Sequence, residues 1–153
     1  MRYIDTSAFV KYYSEESSER GSDRIKDLIN RAREGKDVLI SSVLLIAETV
    51  SVFDKWVRLR LLPKEDFAEL LALFINDLKE LVEKGGLVFE GIDSAGVVSS
   101  IDYIVKHRLT VNDSLHLYSA LLNKDDIEEF ICSDNSLGEA AKKEGLQVWN
   151  PEE

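Results

Sequence analysis

Five short runs of β character alternate with stretches of helical periodicity along this chain, and that alternation limits the fold more than any other feature. The β-type runs are Arg2–Ile4, Asp37–Ser41, Leu87–Ile92, Glu129–Ser133 and Leu146–Asn150. Between the first two, Ile25, Leu28, Ile29 and Ala32 recur at helical spacing and Gly35 stops them. A longer helix is predicted to begin near Ser42. Pro63 opens another, carrying Phe67, Leu70, Leu71, Phe74, Leu78 and Leu81, and Gly85 and Gly86 end it. Later helices are predicted from Asp93 to Val105, Asn112 to Leu122 and Ser136 to Glu144. Strands joined by helices form parallel sheets with right-handed crossovers, so both sheet faces are covered. A three-layer α/β fold is expected. The two long helices between the second and third strands exceed what one crossover needs. One of them is expected to project as an arm for self-association, with Trp56, Phe67 and Phe74 in the contact.

At 153 residues and 44% hydrophobic content, the chain can bury one sizeable core, so a single domain over residues 1–153 is expected. No apolar run approaches the roughly 20 residues that span a bilayer, and no basic region followed by a long apolar stretch opens the sequence. A soluble, cytoplasmic protein follows. The single cysteine, Cys132, lies in the apolar run FIC and reads as a small buried hydrophobe; disulfides and thiolate zinc sites are excluded. The formal charge of −10 argues against broad phosphate neutralisation by the protein surface. It leaves open a nucleic acid substrate met through bound cations, because acids gathered around metal ions are locally neutralised.

Four acids occupy positions where acids are unusual. Asp5 ends the first β run and is followed at once by Thr6 and Ser7. Asp134 follows EFICS in the same way. Glu48 lies within VLLIAETVSVF, with Leu44, Leu45, Ser51 and Val52 on its side of the helix, so it needs an ion-pair partner, a proton or a cation. Asp113 opens the helix in TVNDSLHLYSAL, with Leu117 and Ala120 on its face. Each has a structural reading too: Asp5, Asp113 and Asp134 as helix caps or first-turn acids, Glu48 in a buried ion pair. Strand-end residues of a parallel sheet gather at one edge, outside the carboxyl ends, where α/β folds place their sites. If the first and fourth strands are neighbours, Asp5 and Asp134 line one crevice, which Glu48 and Asp113 reach from helices. Four carboxylates without a basic residue in the motifs suit Mg²⁺ or Mn²⁺ rather than zinc.

These blocks resemble the PIN-domain ribonucleases, in particular the VapC-like toxins of prokaryotic toxin–antitoxin pairs. YIDTSAFVKYY is similar to the family's opening block, with the acid at Asp5 and a hydroxyl at Ser7. SSVLLIAETVSVF resembles the second block, with Glu48 as the helix acid. LTVNDSLHLYSAL resembles the third, with Asp113, and ICSDNSLGEAAKKEGLQVWNP the last, with Ser133 and Asp134. Asn112, Ser114 and Asn135 depart from the commoner residues but remove no carboxylate. The resemblance implies a five-stranded parallel sheet of order 3-2-1-4-5, Mg²⁺ or Mn²⁺ dependence, homodimerisation, a small antitoxin partner and cleavage of RNA.

The chemistry expected is metal-assisted phosphodiester hydrolysis, with Asp5, Glu48, Asp113 and Asp134 holding one or two divalent ions. Ser7 and Ser133 are candidates for orienting a ligand, or equally for capping the turns beside them. His116 and His107 are expected as partly exposed helix residues, with proton donation by His116 the alternative. Lys55, Arg58, Arg60 and Lys64 around Trp56 read as a solvated helix face, or as a track for RNA. Trp56 reads as core or interface. Asp93, after an edge strand, reads as an N-cap. A phospho-receiver domain would need a lysine after its last strand, where NPEE stands. A haloacid-type phosphatase would need two aspartates in the opening block. A PIN-like scaffold without activity is disfavoured by the presence of all four acids.

Overall fold

The computed structural model describes residues 1–14 and 19–153. Five parallel strands form one sheet: β1 (Arg2–Ile4), β2 (Leu39–Ser42), β3 (Leu87–Glu90), β4 (Glu129–Ile131) and β5 (Val148–Trp149), in the order β3-β2-β1-β4-β5. The α-helices among the described residues are α1 (Thr6–Phe9), α2 (Ser22–Arg33), α3 (Leu44–Arg58), α4 (Phe67–Glu83), α5 (Ser94–His107), α6 (Val111–Leu122) and α7 (Asn135–Lys143), with 3₁₀ turns at Val10–Tyr13 and Lys64–Asp66. The expected α/β class, strand order and edge position of β3 are all observed. The ladders are shorter than the sequence runs: Asp37, Val38, Gly91, Ile92, Cys132, Ser133, Leu146, Gln147 and Asn150 lie outside them, while β2 reaches one residue further, to Ser42.

Period-2 alternation divides the strand residues between two cores. Ile4, Leu39, Leu87 and Ile131 face α2, α3 and α4, together with Phe9, Tyr13, Phe53, Phe74 and Leu81. Tyr3, Ile40 and Phe130 face α6 and α7, meeting Leu117, Ala120, Leu137 and Ala141. Burial on both faces explains why the strand interiors carry large apolar residues in succession. Gly86, just before β3, lies so close to α2 that a Cβ there would overlap the carbonyl oxygen of Ala32.

The α3–α4 pair differs from the projecting arm expected. Phe53 and Phe74 are fully buried, and Trp56 and Phe67 pack on the same cluster. Ring centroids of Tyr13, Phe53 and Phe74 lie 5.3–5.7 Å apart in edge-to-face contacts. These aromatics therefore close the chain's own core, because the crossover from β2 to β3 must cover a sheet face that α2 alone leaves open. Lys55, Arg60 and Lys64 are exposed, and Arg58 pairs with Asp54 at 2.8 Å, the solvated face expected.

One buried ionic cluster ties α2 to α4. Asp77 is 7% exposed, accepts a hydrogen bond from the Tyr13 hydroxyl at 2.9 Å and pairs with Arg33. Arg33 also donates to the Tyr12 hydroxyl at 2.6 Å. Removing one member of a buried pair costs more than the pair contributes, because the other charge stays enclosed. Asp77→Ala is expected to destabilise by about 3 kcal/mol, read from urea unfolding. A change below about 0.5 kcal/mol would mean that the cluster is solvated.

Candidate functional site

The chain runs outward from β1 to β3, then returns to the other side of β1 with β4 and β5. Beyond the carboxyl ends of β1 and β4 the winding reverses, the edge at which α/β folds place their sites. Asp5 and Asp134 leave the sheet there. The Asp5 amide still donates to Ile131 O at 3.0 Å, so the strand pairing sets the position of this acid directly.

Each aspartate spends one carboxylate oxygen on the protein. Asp5 is 3% exposed and caps α1: its Oδ2 accepts from the Ser7 amide at 3.1 Å and the Ser7 hydroxyl at 2.5 Å. Asp134 caps α7, Oδ1 accepting from Leu137 N at 2.8 Å. Asp113, in the first turn of α6, accepts at Oδ2 from the Thr110 hydroxyl at 2.7 Å. The capping readings are therefore correct as far as they go. The second oxygen of each aspartate accepts no hydrogen bond from the described residues.

Glu48 finds its partner in His116, which corrects the expectation for that histidine. The ring is 1% exposed, with Nε2 2.6 Å from Glu48 Oε2 and Nδ1 2.9 Å from the Tyr3 hydroxyl. Its i+3 spacing from Asp113 turns it inward, where β1 and α3 enclose it. Glu48 is half-buried and also accepts from the Thr6 hydroxyl at 2.6 Å. His116 Nε2 lies 3.7 Å from Asp5 Oδ1, so one ring serves two of the acids. His107, on α5, pairs with Glu144 at 2.6 Å and has no part here.

Ser7 joins the two strand ends. Its hydroxyl oxygen accepts from the amides of Ser133 and Asp134 at 3.0 and 3.2 Å while donating to Asp5. The Ser133 hydroxyl is enclosed without a hydrogen-bond partner. Cys132 is more than a small hydrophobe: its thiol lies 3.5 Å from Asp5 Oδ2 and 3.3 Å from Asp134 O. Burial, then the Asp5 charge, pushes that thiol far up, so it donates and is no nucleophile. Sequence reasoning missed Tyr3, Thr6 and Thr110. The only signal was adjacency to the acids for Thr6 and the cap position for Thr110. Asp93 caps α5 through Gly96 N, away from this edge, as expected.

The electrostatics are those of excess negative charge. Burial raises the Asp113 carboxyl above its ordinary range, and the charges of Asp5 and Asp134 add to the rise against Thr110 and His116. Burial also acts to raise Glu48, but His116, Thr6 and, least, Asn112 outweigh it and hold the carboxyl low. His116 is the reverse: burial lowers its proton affinity, and Glu48, Asp5 and Asp113 more than restore it. Among the described residues no Lys or Arg pairs with any of the four acids. Nor, among the described residues, do three His, Cys, Asp or Glu side chains stand together as a group that could hold a metal ion as placed. Like charges spread, and the nearest protein donors claim one oxygen of each. Oxygen donors with unspent lone pairs, an enclosed Ser133 hydroxyl without a partner and uncompensated charge all fit a hard divalent cation. Asp5, Glu48, Asp113 and Asp134 are the residues that would hold it.

The Asp113 shift has a consequence for stability. Between the ordinary aspartate pKa and the raised one, the native state binds more protons than the unfolded chain. Stability falls as pH rises through that window, and the penalty is complete above it. Asparagine carries no charge and still accepts from Thr110. In chelator at pH 7, Asp113→Asn is expected to melt at or above the wild type, with the gap closing as pH approaches about 4. A variant clearly less stable at pH 7 would contradict the charge account.

The PIN domain family model matches residues 2–143. The crystal structure of PAE2754 from Pyrobaculum aerophilum superposes with a TM-score of 0.59 at 18% identity, over 99% of this chain and 92% of that one. This likeness concerns the fold. No curated protein matches the sequence. With a family model spanning nearly its whole described length, the chain belongs to the PIN domain family, whose members are generally nucleases.

Proposed function

We propose that this protein is a metal-dependent endoribonuclease that hydrolyses RNA phosphodiester bonds at the crevice between β1 and β4. The observation that carries this is the set of four acids at the winding reversal without a Lys or Arg partner among the described residues. A structural set of acids is paired out, whereas here His116 alone faces Glu48 and Asp5 among the described residues and Asp113 and Asp134 have no ion-pair partner. Asp5, Glu48, Asp113 and Asp134 would hold one or two Mg²⁺ or Mn²⁺ ions. When bound, such ions activate water and offset the charge of the scissile phosphate. The chain's own part is positional. Ser7 ties the Asp5 and Asp134 segments together, the Ser133 hydroxyl is available to orient a ligand, and water supplies the hydroxyl that ends on phosphorus.

The proposal extends to a homodimer and to a small antitoxin protein, with an RNA-processing nuclease outside any toxin pair as the alternative. Since the α3–α4 aromatics are spent on the core, the better support for self-association is the exposed apolar row Val97, Ile101 and Val105 on α5. Purification from the native source, with mass by light scattering, distinguishes these: a small co-purifying DNA-binding protein supports the toxin reading, and its absence the alternative. RNA cleavage should require Mg²⁺ or Mn²⁺ and stop in chelator. Asp113→Asn should lower the rate by more than the roughly 100-fold that loss of an outer-sphere partner costs. Cleavage at full rate in excess chelator, or by that variant, would refute the assignment.

A further inference from the structure

His116 is 1% exposed, and both its nitrogens are engaged. We propose that His116 is a positioning residue, the central link of a hydrogen-bond relay from the Ser42 backbone through Tyr3 to Glu48. The relay commits one Glu48 oxygen to the protein and leaves the other for a divalent cation. This rests on the metal-nuclease reading above.

The direction of the last bond follows from what the groups can donate. A carboxylate only accepts, so His116 Nε2 must carry the hydrogen in its 2.6 Å contact with Glu48 Oε2. On the other side of the ring Nδ1 is bonded to the Tyr3 hydroxyl at 2.9 Å, and the Tyr3 oxygen accepts from the Ser42 amide at 3.1 Å. The chain of hydrogen bonds therefore joins Ser42 N, Tyr3 Oη and His116 and ends on Glu48.

Tyr3 is an unusually firm base for such a relay. It is fully buried and stacks on Phe130 at 5.2 Å with an interplanar angle of 11°, so its hydroxyl is set by the sheet itself. Thr6 Oγ1 adds a second bond to the same Glu48 oxygen at 2.6 Å and lies 3.3 Å from His116 Nε2. Both hydrogen bonds thus land on Oε2. Glu48 is a long side chain on a half-exposed helix face, and without these contacts several rotamers would be open to it. The relay joins β1, the end of β2, α3 and α6 in one fixed relation, which is the role outer-sphere partners play for metal-binding carboxylates.

Mn²⁺ titrations, read from the paramagnetic signal of the free ion, test this with wild type, Tyr3→Phe, His116→Leu and His116→Gln, each checked for folding by circular dichroism. Tyr3→Phe and His116→Leu should weaken Mn²⁺ binding roughly 10–100-fold, while His116→Gln, which keeps an N–H donor, should recover most of it. A packing role would lower melting temperatures without moving the Mn²⁺ dissociation constant. Wild-type binding that both Tyr3→Phe and His116→Leu leave unchanged would overturn the relay and spare the nuclease reading. Wild type that binds no Mn²⁺ would overturn both. Should the leucine variant fail to fold, ¹⁵N spectra of the wild-type ring decide: a hydrogen on Nε2 is expected, and one on Nδ1 alone would overturn the relay.

Discussion

The parallel pairing of β1 with β4 is the interaction on which the rest of the molecule depends. Arg2, Tyr3 and Ile4 lie in register with Glu129, Phe130 and Ile131, and Asp5 N closes the ladder on Ile131 O. Because β1 also pairs with β2, it is the central strand of the five, and the chain must reverse its winding beside it. That reversal falls at the edge where α/β folds place their sites. It also brings two acids to one place that are separated by most of the sequence. Ser7 holds the junction, bonded at once to Asp5 and to the amides of Ser133 and Asp134.

Gathering acids this way opposes folding, and the molecule contains the cost in specific ways. Helix N-termini take Asp5 and Asp134, whose carboxylates complement the N-terminal ends of α1 and α7. Glu48 is offset by His116 and Thr6. Asp113 has Thr110 and the more distant His116 against burial and two like charges, and its carboxyl is raised. The contrast with the Asp77–Arg33–Tyr13 cluster is instructive. There a buried acid is matched by a guanidinium and a phenol, and the result is a structural tie between helices. The acids at the β1–β4 edge have no guanidinium or ammonium of that kind among the described residues, which is the observation behind the proposed cation site.

Much of this was legible in the sequence because it depends on local rules. Alternating β and helical runs imply a parallel sheet, the acids stand out against the apolar patterns around them, and Asp93 has the position of a cap. What the sequence hid depends on tertiary distance. LHLYSAL reads the same whether His116 faces solvent or the core, and only the packing of Tyr3, 113 residues away, settles it. Trp56, Phe67 and Phe74 form an apolar helix face whatever they cover; periodicity does not distinguish a chain's own core from a partner's. Strand limits differ at β2 to β5: the expected runs begin two residues early at β2 and β5, stop one residue short at β2, and continue past the last ladder partner at β3, β4 and β5.

The central claim is that Asp5, Glu48, Asp113 and Asp134 meet around a divalent cation at the β1–β4 crevice. Anomalous diffraction from crystals soaked in Mn²⁺ tests it most directly. The account predicts a peak at that edge, with oxygens of these acids among its ligands at about 2.0–2.2 Å. A well-occupied peak elsewhere with none at the crevice, or no peak at saturating Mn²⁺, would contradict it.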